Sequence, residues 1–111
     1  MSNPQKEKGS RWERAIVQCL RENGWPEADR RLGAGQALDK GDIIGVPGFT
    51  FEAKDHKTHK FSEWLLEAEK ECVNAGTKFG VVLVKRSRKP TEQAYAVMTM
   101  DTLMRIIKEM K

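Results

Sequence analysis

The sequence predicts an α/β domain in which a mixed central β-sheet is flanked by helices. Three observations carry that expectation. Phe49-Thr50-Phe51-Glu52-Ala53-Lys54 and Phe79-Gly80-Val81-Val82-Leu83-Val84 read as strands with a helical stripe between them, the pattern of a crossover joining parallel strands. Asp42 to Val46, the turn signal Pro47-Gly48 and Phe49 to Lys54 read as a hairpin. Apolar residues at helical spacing mark a helix near each end of the chain.

Taken in order, residues 1–9 are polar and read as a flexible tail, leaving 10–111 as a single domain. Ser10-Arg11-Trp12-Glu13 has the form of a capping box, with serine as N-cap and glutamate three residues on. Trp12, Ala15, Ile16, Cys19 and Leu20 form one apolar face, and Asn23-Gly24 with Pro26 ends the helix. Arg30-Arg31-Leu32 reads as a short strand and Gly33-Ala34-Gly35-Gln36 as loop. The hairpin follows. The second helix starts near Phe61, carries Trp64, Leu65, Ala68 and Cys72 on its stripe, and ends at Asn74-Ala75-Gly76. Phe79 to Val84 is nearly all apolar, as suits a central strand. After the basic loop Lys85 to Pro90, Gln93 to Thr99 forms a last strand. Asp101 caps a final helix bearing Leu103, Ile106, Ile107 and Met110.

Composition narrows the function. The chain has 111 residues, with 20 Lys+Arg against 16 Asp+Glu, and so a charge of +4 that fits a polyanionic partner. No apolar run reaches the length of a membrane span, and the N-terminus lacks the apolar stretch of a secretory signal. Cys19 and Cys72 each fall on an apolar helix face, which fits reduced thiols in a cytoplasmic setting.

Asp42 to Lys54 is the informative segment. Residues two apart on a strand share a face, so Glu52 and Lys54 emerge side by side. A tight turn at Pro47-Gly48 places Asp42 opposite Ala53, near both. Two adjacent carboxylates repel unless a cation neutralises them. Oxygen ligands with open positions suit Mg²⁺, with Mn²⁺ as its substitute. The lysine beside them could orient a water or help deprotonate it. That assembly suits phosphodiester hydrolysis.

Asp42…Glu52-Ala53-Lys54 resembles the PD-(D/E)xK nuclease motif, with Gly41 where that motif has proline. The flanks resemble archaeal-type Holliday junction resolvases. Lys8-Gly9-Ser10-Arg11-Trp12-Glu13-Arg14 is similar to their opening, and Gly24-Trp25, Arg30-Arg31, Gly33-Ala34-Gly35 and Gly41-Asp42-Ile43-Ile44 follow in the same order. The resemblance covers roughly residues 8–86. It implies a restriction-endonuclease-like fold and a homodimer that resolves four-way DNA junctions in recombination and repair. It further implies that Asp42, Glu52 and the Ala53 carbonyl hold the metal, that Lys54 positions water, and that Glu13 supports the metal from the rim. Gln36 stands in a loop where the family commonly carries a serine.

Each of these residues has a plainer reading. Glu13 could serve only as the capping-box partner of Ser10. Asp42 could be a turn residue, with Asp39 as a rival ligand, and Glu52 and Lys54 an exposed ion pair. His56 and His59 lack metal-ligand spacing, so His56-Lys57-Thr58-His59 reads as a solvated or phosphate-contacting loop. Glu63, Glu67 and Glu71 make an acidic helix stripe expected to face solvent. Trp12, Trp25 and Trp64 read as core or dimer residues. Lys8, Ser10, Arg11, Arg30, Arg31, Gln36, Lys57, Lys85, Arg86 and Arg88 are the expected DNA contacts, addressing shape over sequence. Leu66 and Val73 lie off the buried stripe and are candidates for a dimer interface. The alternatives are a related nuclease for other branched or linear DNA, a DNA-binding module with an inactive metal site, and an interaction protein with a chance motif.

Overall fold

The computed structural model describes residues 3–31 and 41–111. Gln36, the Gly33-Ala34-Gly35 loop and the rival ligand Asp39 lie outside the described residues. The chain runs α1 (Pro4–Glu22), β1 (Asp29–Arg30), β2 (Ile43–Ile44), β3 (Phe49–Lys54), α2 (Phe61–Ala75), β4 (Phe79–Val84), a 3₁₀ turn at Thr91–Gln93, β5 (Tyr95–Val97) and α3 (Met100–Glu109). The five strands lie in sequence order across the sheet. Only β3 and β4 are parallel, paired from Phe49 with Phe79 to Lys54 with Val84, and α2 is their crossover. The α/β class and the mixed, helix-flanked sheet are as expected.

The two central strands sort the layers by alternation. Phe51, Val81 and Leu83 face α1 and pack with Trp12, Ile16 and Val17. Val82 and Val84 face α2 and pack with Trp64 and Ala68. Trp12 also donates its indole N–H to the Leu83 carbonyl at 3.0 Å, pinning α1 across the sheet. Of the other tryptophans, Trp64 is core, whereas Trp25 is exposed. The third helix is less embedded. Thr102 is its buried residue, while Leu103, Met104 and Ile107 remain exposed.

Helix α1 begins six residues earlier than expected, because a better cap lies upstream. Asn3 accepts hydrogen bonds from the Gln5 and Lys6 amides, and Pro4 occupies the first turn, where its missing N–H costs nothing. Residues 4–9 are therefore helical, and Ser10 is inside the helix and is not its cap. The final helix is capped by Thr99, two residues before Asp101. Strand β1 ends at Arg30, and β5 is shorter than the expected Gln93–Thr99 because Thr91–Gln93 forms a 3₁₀ turn. Helix α2, β3 and β4 match their expected bounds, with Gly76 closing α2 in the left-handed conformation.

The hairpin register differs by one residue. Ile43 pairs with Phe51, which sets Asp42 across from Glu52 and not from Ala53. The cause is Gly45, whose φ of +98° turns the chain out of the strand one residue early. A side chain there would meet the Glu27 carbonyl oxygen at 2.1 Å. Gly45→Ala is expected to cost about 3 kcal/mol or more, since rigid backbone must move and the left-handed region must be held by a residue that disfavours it. Urea denaturation of the variant beside the parent measures this.

Candidate metal centre

The site forms where β2, β3 and α2 meet. Glu52 lies on the α2 face of β3 and is only 4% exposed. Asp42 stands across from it, and its Oδ2 accepts the Ala53 amide N–H at 2.8 Å, which fixes the carboxylate against the strand. From α2, Glu71 (1% exposed) and Glu67 reach toward the same point. One carboxylate oxygen from each of Glu52, Glu67 and Glu71 lies within 4.8 Å of the others, an arrangement that could hold a metal ion. The donors are all oxygen, the choice of hard divalent cations.

Burial pushes the Glu52 carboxyl far above the usual carboxylate range, and the neighbouring Asp42 and Glu71 push it further. Without a cation Glu52 therefore favours its protonated form, because adjacent buried carboxylates repel. Lys54, two residues along β3, bonds Glu67 Oε1 at 2.8 Å and has its ammonium 5.9 Å from the centre of the Trp64 ring. Burial pulls its pKa down, but the Glu67 hydrogen bond and the charges of Glu52, Glu67 and Asp42 outweigh that and hold it above the usual value. Lys54 is thus a fixed positive charge and hydrogen-bond donor at neutral pH.

Glu13 sits on α1, half-buried, outside the acidic triad. Burial raises its pKa, the Asp42 charge adds to this, and Arg30 opposes both. Arg30 Nε donates to Glu13 Oε1 at 2.9 Å, and its Nη2 donates to Ser10 Oγ at 3.1 Å. The capping-box reading of Ser10 and Glu13 is therefore replaced by a clamp on Arg30. Arg30→Ala is expected to cost about 1–2 kcal/mol by leaving a half-buried carboxylate without its donor. Any acidic limb in the pH–activity profile that depends on Glu13 should move to higher pH. Thermal denaturation and a pH profile measure the two effects.

Glu71 is the residue of the cluster that departs from its expected place, and Glu67 joins the cluster while remaining exposed. The stripe of Glu63, Glu67 and Glu71 faces solvent at its first two members, Glu67 also bonding Lys54, whereas Glu71 is buried. The signal was the spacing. Glu71 falls three residues after Ala68 and beside Cys72, inside the arc of the helix that carries Trp64, Ala68 and Cys72.

Beside the site, at the ends of β3 and β4, lies an open cleft of about 730 Å³. Lys8, Arg11, Lys57, Lys85, Arg86 and Lys89 line it, and its acidic lining residue, Asp55, pairs with Lys8 at 3.7 Å. A second hollow shares Lys8, Asp55, His56 and Lys57 with this cleft and continues to Lys54 and Glu67. Of the expected DNA contacts, Lys8, Arg11, Lys57, Lys85 and Arg86 thus converge. Arg30 and Ser10 are engaged with Glu13 or each other. Arg31 lines a different hollow, beside Trp25. Arg88 is exposed on the turn at φ +62° and does not line the cleft, whereas Lys89 does.

Both cysteines are free thiols. Among the described residues no helix is long and apolar enough to cross a membrane. Comparison with protein-family models, with curated proteins and with solved structures returned no match, so the functional reading rests on the residues and their geometry.

Proposed function

We propose that the chain is a divalent-metal-dependent DNA endonuclease acting on branched DNA, with a restriction-endonuclease-like fold and the four-way junction as substrate. The observation that carries the reading is the burial of Glu52 among Asp42 and Glu71, with Lys54 on the next inward-facing position of the same strand. A structural ion pair of Lys54 with Glu67 has no need of two further carboxylates, Glu52 and Glu71, buried beside it. The cost of such a cluster is met where a cation binds.

Asp42, Glu52, Glu67 and Glu71 would hold the ion, with the Ala53 carbonyl as a further donor. A bound Mg²⁺ or Mn²⁺ would neutralise these carboxylates and stabilise the charge that develops on a phosphodiester. Lys54 donates from the rim to the attacking water or to a phosphate oxygen, and Glu67 keeps its side chain from swinging away. The Glu13–Arg30 pair acts on the Asp42 side of the site, with Arg30 held by Glu13 and Ser10. The basic cleft holds the flanking backbone. Two symmetric cuts in a junction require two sites, so the working form is a C₂ homodimer. The exposed Leu66 and Val73 of α2 are available to such an interface.

The test is cleavage of a labelled four-way junction with Mg²⁺, beside a linear duplex of matching sequence and a Glu52→Gln control. Paired nicks in the junction alone, lost in the variant, are the expected result. Binding without cutting would favour the inactive-module reading. Cutting of the duplex as well would keep the nuclease and discard the resolvase.

A further inference from the structure

We propose that a cluster of exposed aromatic rings at the mouth of the basic cleft is a stacking platform for an unpaired base of the DNA substrate. His59 stacks on Phe61 with ring centres 5.2 Å apart and planes at 24°, and its edge meets Tyr95 at 6.2 Å. Trp64 anchors the group from the core, 6.0 Å from Phe61 and 5.4 Å from His56. The cluster is held from behind but open in front: Phe61 is 39% and Tyr95 44% exposed. Two large rings left in water beside a rank of cations do nothing for the core. They also do nothing for a ligand recognised by charge alone.

The placement matches what a single strand needs. His59 and Tyr95 line the basic cleft and also an apolar groove along β5 toward Leu103. A backbone lying in the cleft would have its bases beside the groove. The Arg86 guanidinium sits 4.9 Å from the centre of the Tyr95 ring, so cation and ring are joined at the point where phosphate and base diverge. Basic grooves interleaved with aromatic faces are how proteins hold unpaired nucleotides, each stacked base contributing about 1–3 kcal/mol. A closed duplex hides its base faces and could use only the cations. An acidic peptide of charged side chains alone would likewise leave the rings idle. The nuclease reading supplies the choice of DNA as the polymer. The platform then directs that enzyme to branch points with unpaired nucleotides at the crossing, because the second hollow leads from the cleft to Lys54.

The experiment is fluorescence anisotropy of the full chain in EDTA, where nothing can be cut, with labelled dT₁₅ and a blunt duplex of the same length. Tyr95→Leu and Phe61→Leu remove a ring and keep apolar bulk, and circular dichroism checks their folding. The expected result is a loss of about tenfold or more on dT₁₅ and less than about twofold on the duplex. Lys85→Ala with Lys89→Ala should weaken both probes and flatten the salt dependence. The proposal is overturned if the ring variants bind dT₁₅ as the parent does, if they lose both probes equally, or if polyglutamate displaces dT₁₅ as well as unlabelled dT₁₅ does. Ring-dependent binding by a protein that cuts no DNA upholds the platform and discards the nuclease. Junction cleavage with ring-independent binding does the reverse.

Discussion

Replacing Glu52 with glutamine will stabilise the metal-free protein at neutral and alkaline pH while removing its response to divalent cations. Burial first, then Asp42 and Glu71, raise the Glu52 carboxyl well above its unfolded value. The sign follows from proton binding. Between the unfolded and folded pKa values the native state holds a proton that the unfolded state has released. Stability is therefore fully present below the ordinary carboxylate range and is lost as pH rises above it. The limiting loss is about tenfold in the folding equilibrium per pH unit. Glutamine keeps the shape and the hydrogen bonds without the titration. Its melting temperature should equal the parent's near pH 4 and rise progressively above it toward pH 8. Mg²⁺ at a hundredfold excess over its dissociation constant should stabilise the parent by about 2.7 kcal/mol and leave the variant unmoved. Calorimetry across pH, with and without Mg²⁺, reads all of this. A parent whose stability is flat with pH and indifferent to Mg²⁺ would refute the metal reading.

The second large effect is expected at Lys54. Lys54→Met keeps the alkyl stem against Trp64 and deletes the charge held by Glu67 at 2.8 Å. Cleavage should fall by about a hundredfold or more, the scale lost with a preorganised electrostatic group. Mg²⁺ affinity should not fall, because removing a cation from an acidic cluster favours another cation in its place. Lys54→Arg should recover only part of the rate, since a planar fork cannot occupy the position of a compact ammonium. The split between metal affinity and rate is the diagnostic. A lysine that only braced the helix would move stability and leave the rate of the folded protein intact. Single-turnover cleavage beside a Mg²⁺ titration measures both.

Much of this architecture was legible because local and global preferences agree. Strand β4 is apolar and buried along nearly its whole length, and Gly76 ends α2 in a conformation that side chains disfavour. Where the reading missed, two local signals competed. Ser10…Glu13 satisfied the form of a cap, but Asn3-Pro4 upstream offered a real one, and both Ser10 and Glu13 had a distant partner in Arg30. The hairpin register slipped because Pro47-Gly48 looked like a complete turn, while Gly45 was already bending the chain. Glu71 was missed for a different reason. An acid on a helix is charged and exposed until another element covers it, and what covers Glu71 is the sheet, through a crossover whose packing no spacing rule states. The shared face of Glu52 and Lys54 was legible because alternation along a strand holds regardless of what packs on it.

Gly41 adopts φ +93° immediately before Asp42, and a side chain there would meet Thr50 Cγ2 at 2.5 Å. Proline, fixed near −65°, has no access to that backbone. The residue the nuclease motif leads one to expect is thus excluded by shape, and the acid reaches the cluster along a different path. Rigidity that a ring would impose on the backbone is supplied instead by hydrogen bonds on every side of the acid: the Asp42 N–H donates to the Phe51 carbonyl at 2.9 Å, the Asp42 carbonyl accepts the Arg31 N–H at 2.8 Å, and the carboxylate accepts the Ala53 N–H at 2.8 Å. The acid is held by the sheet's own ladder and not by the shape of the residue before it.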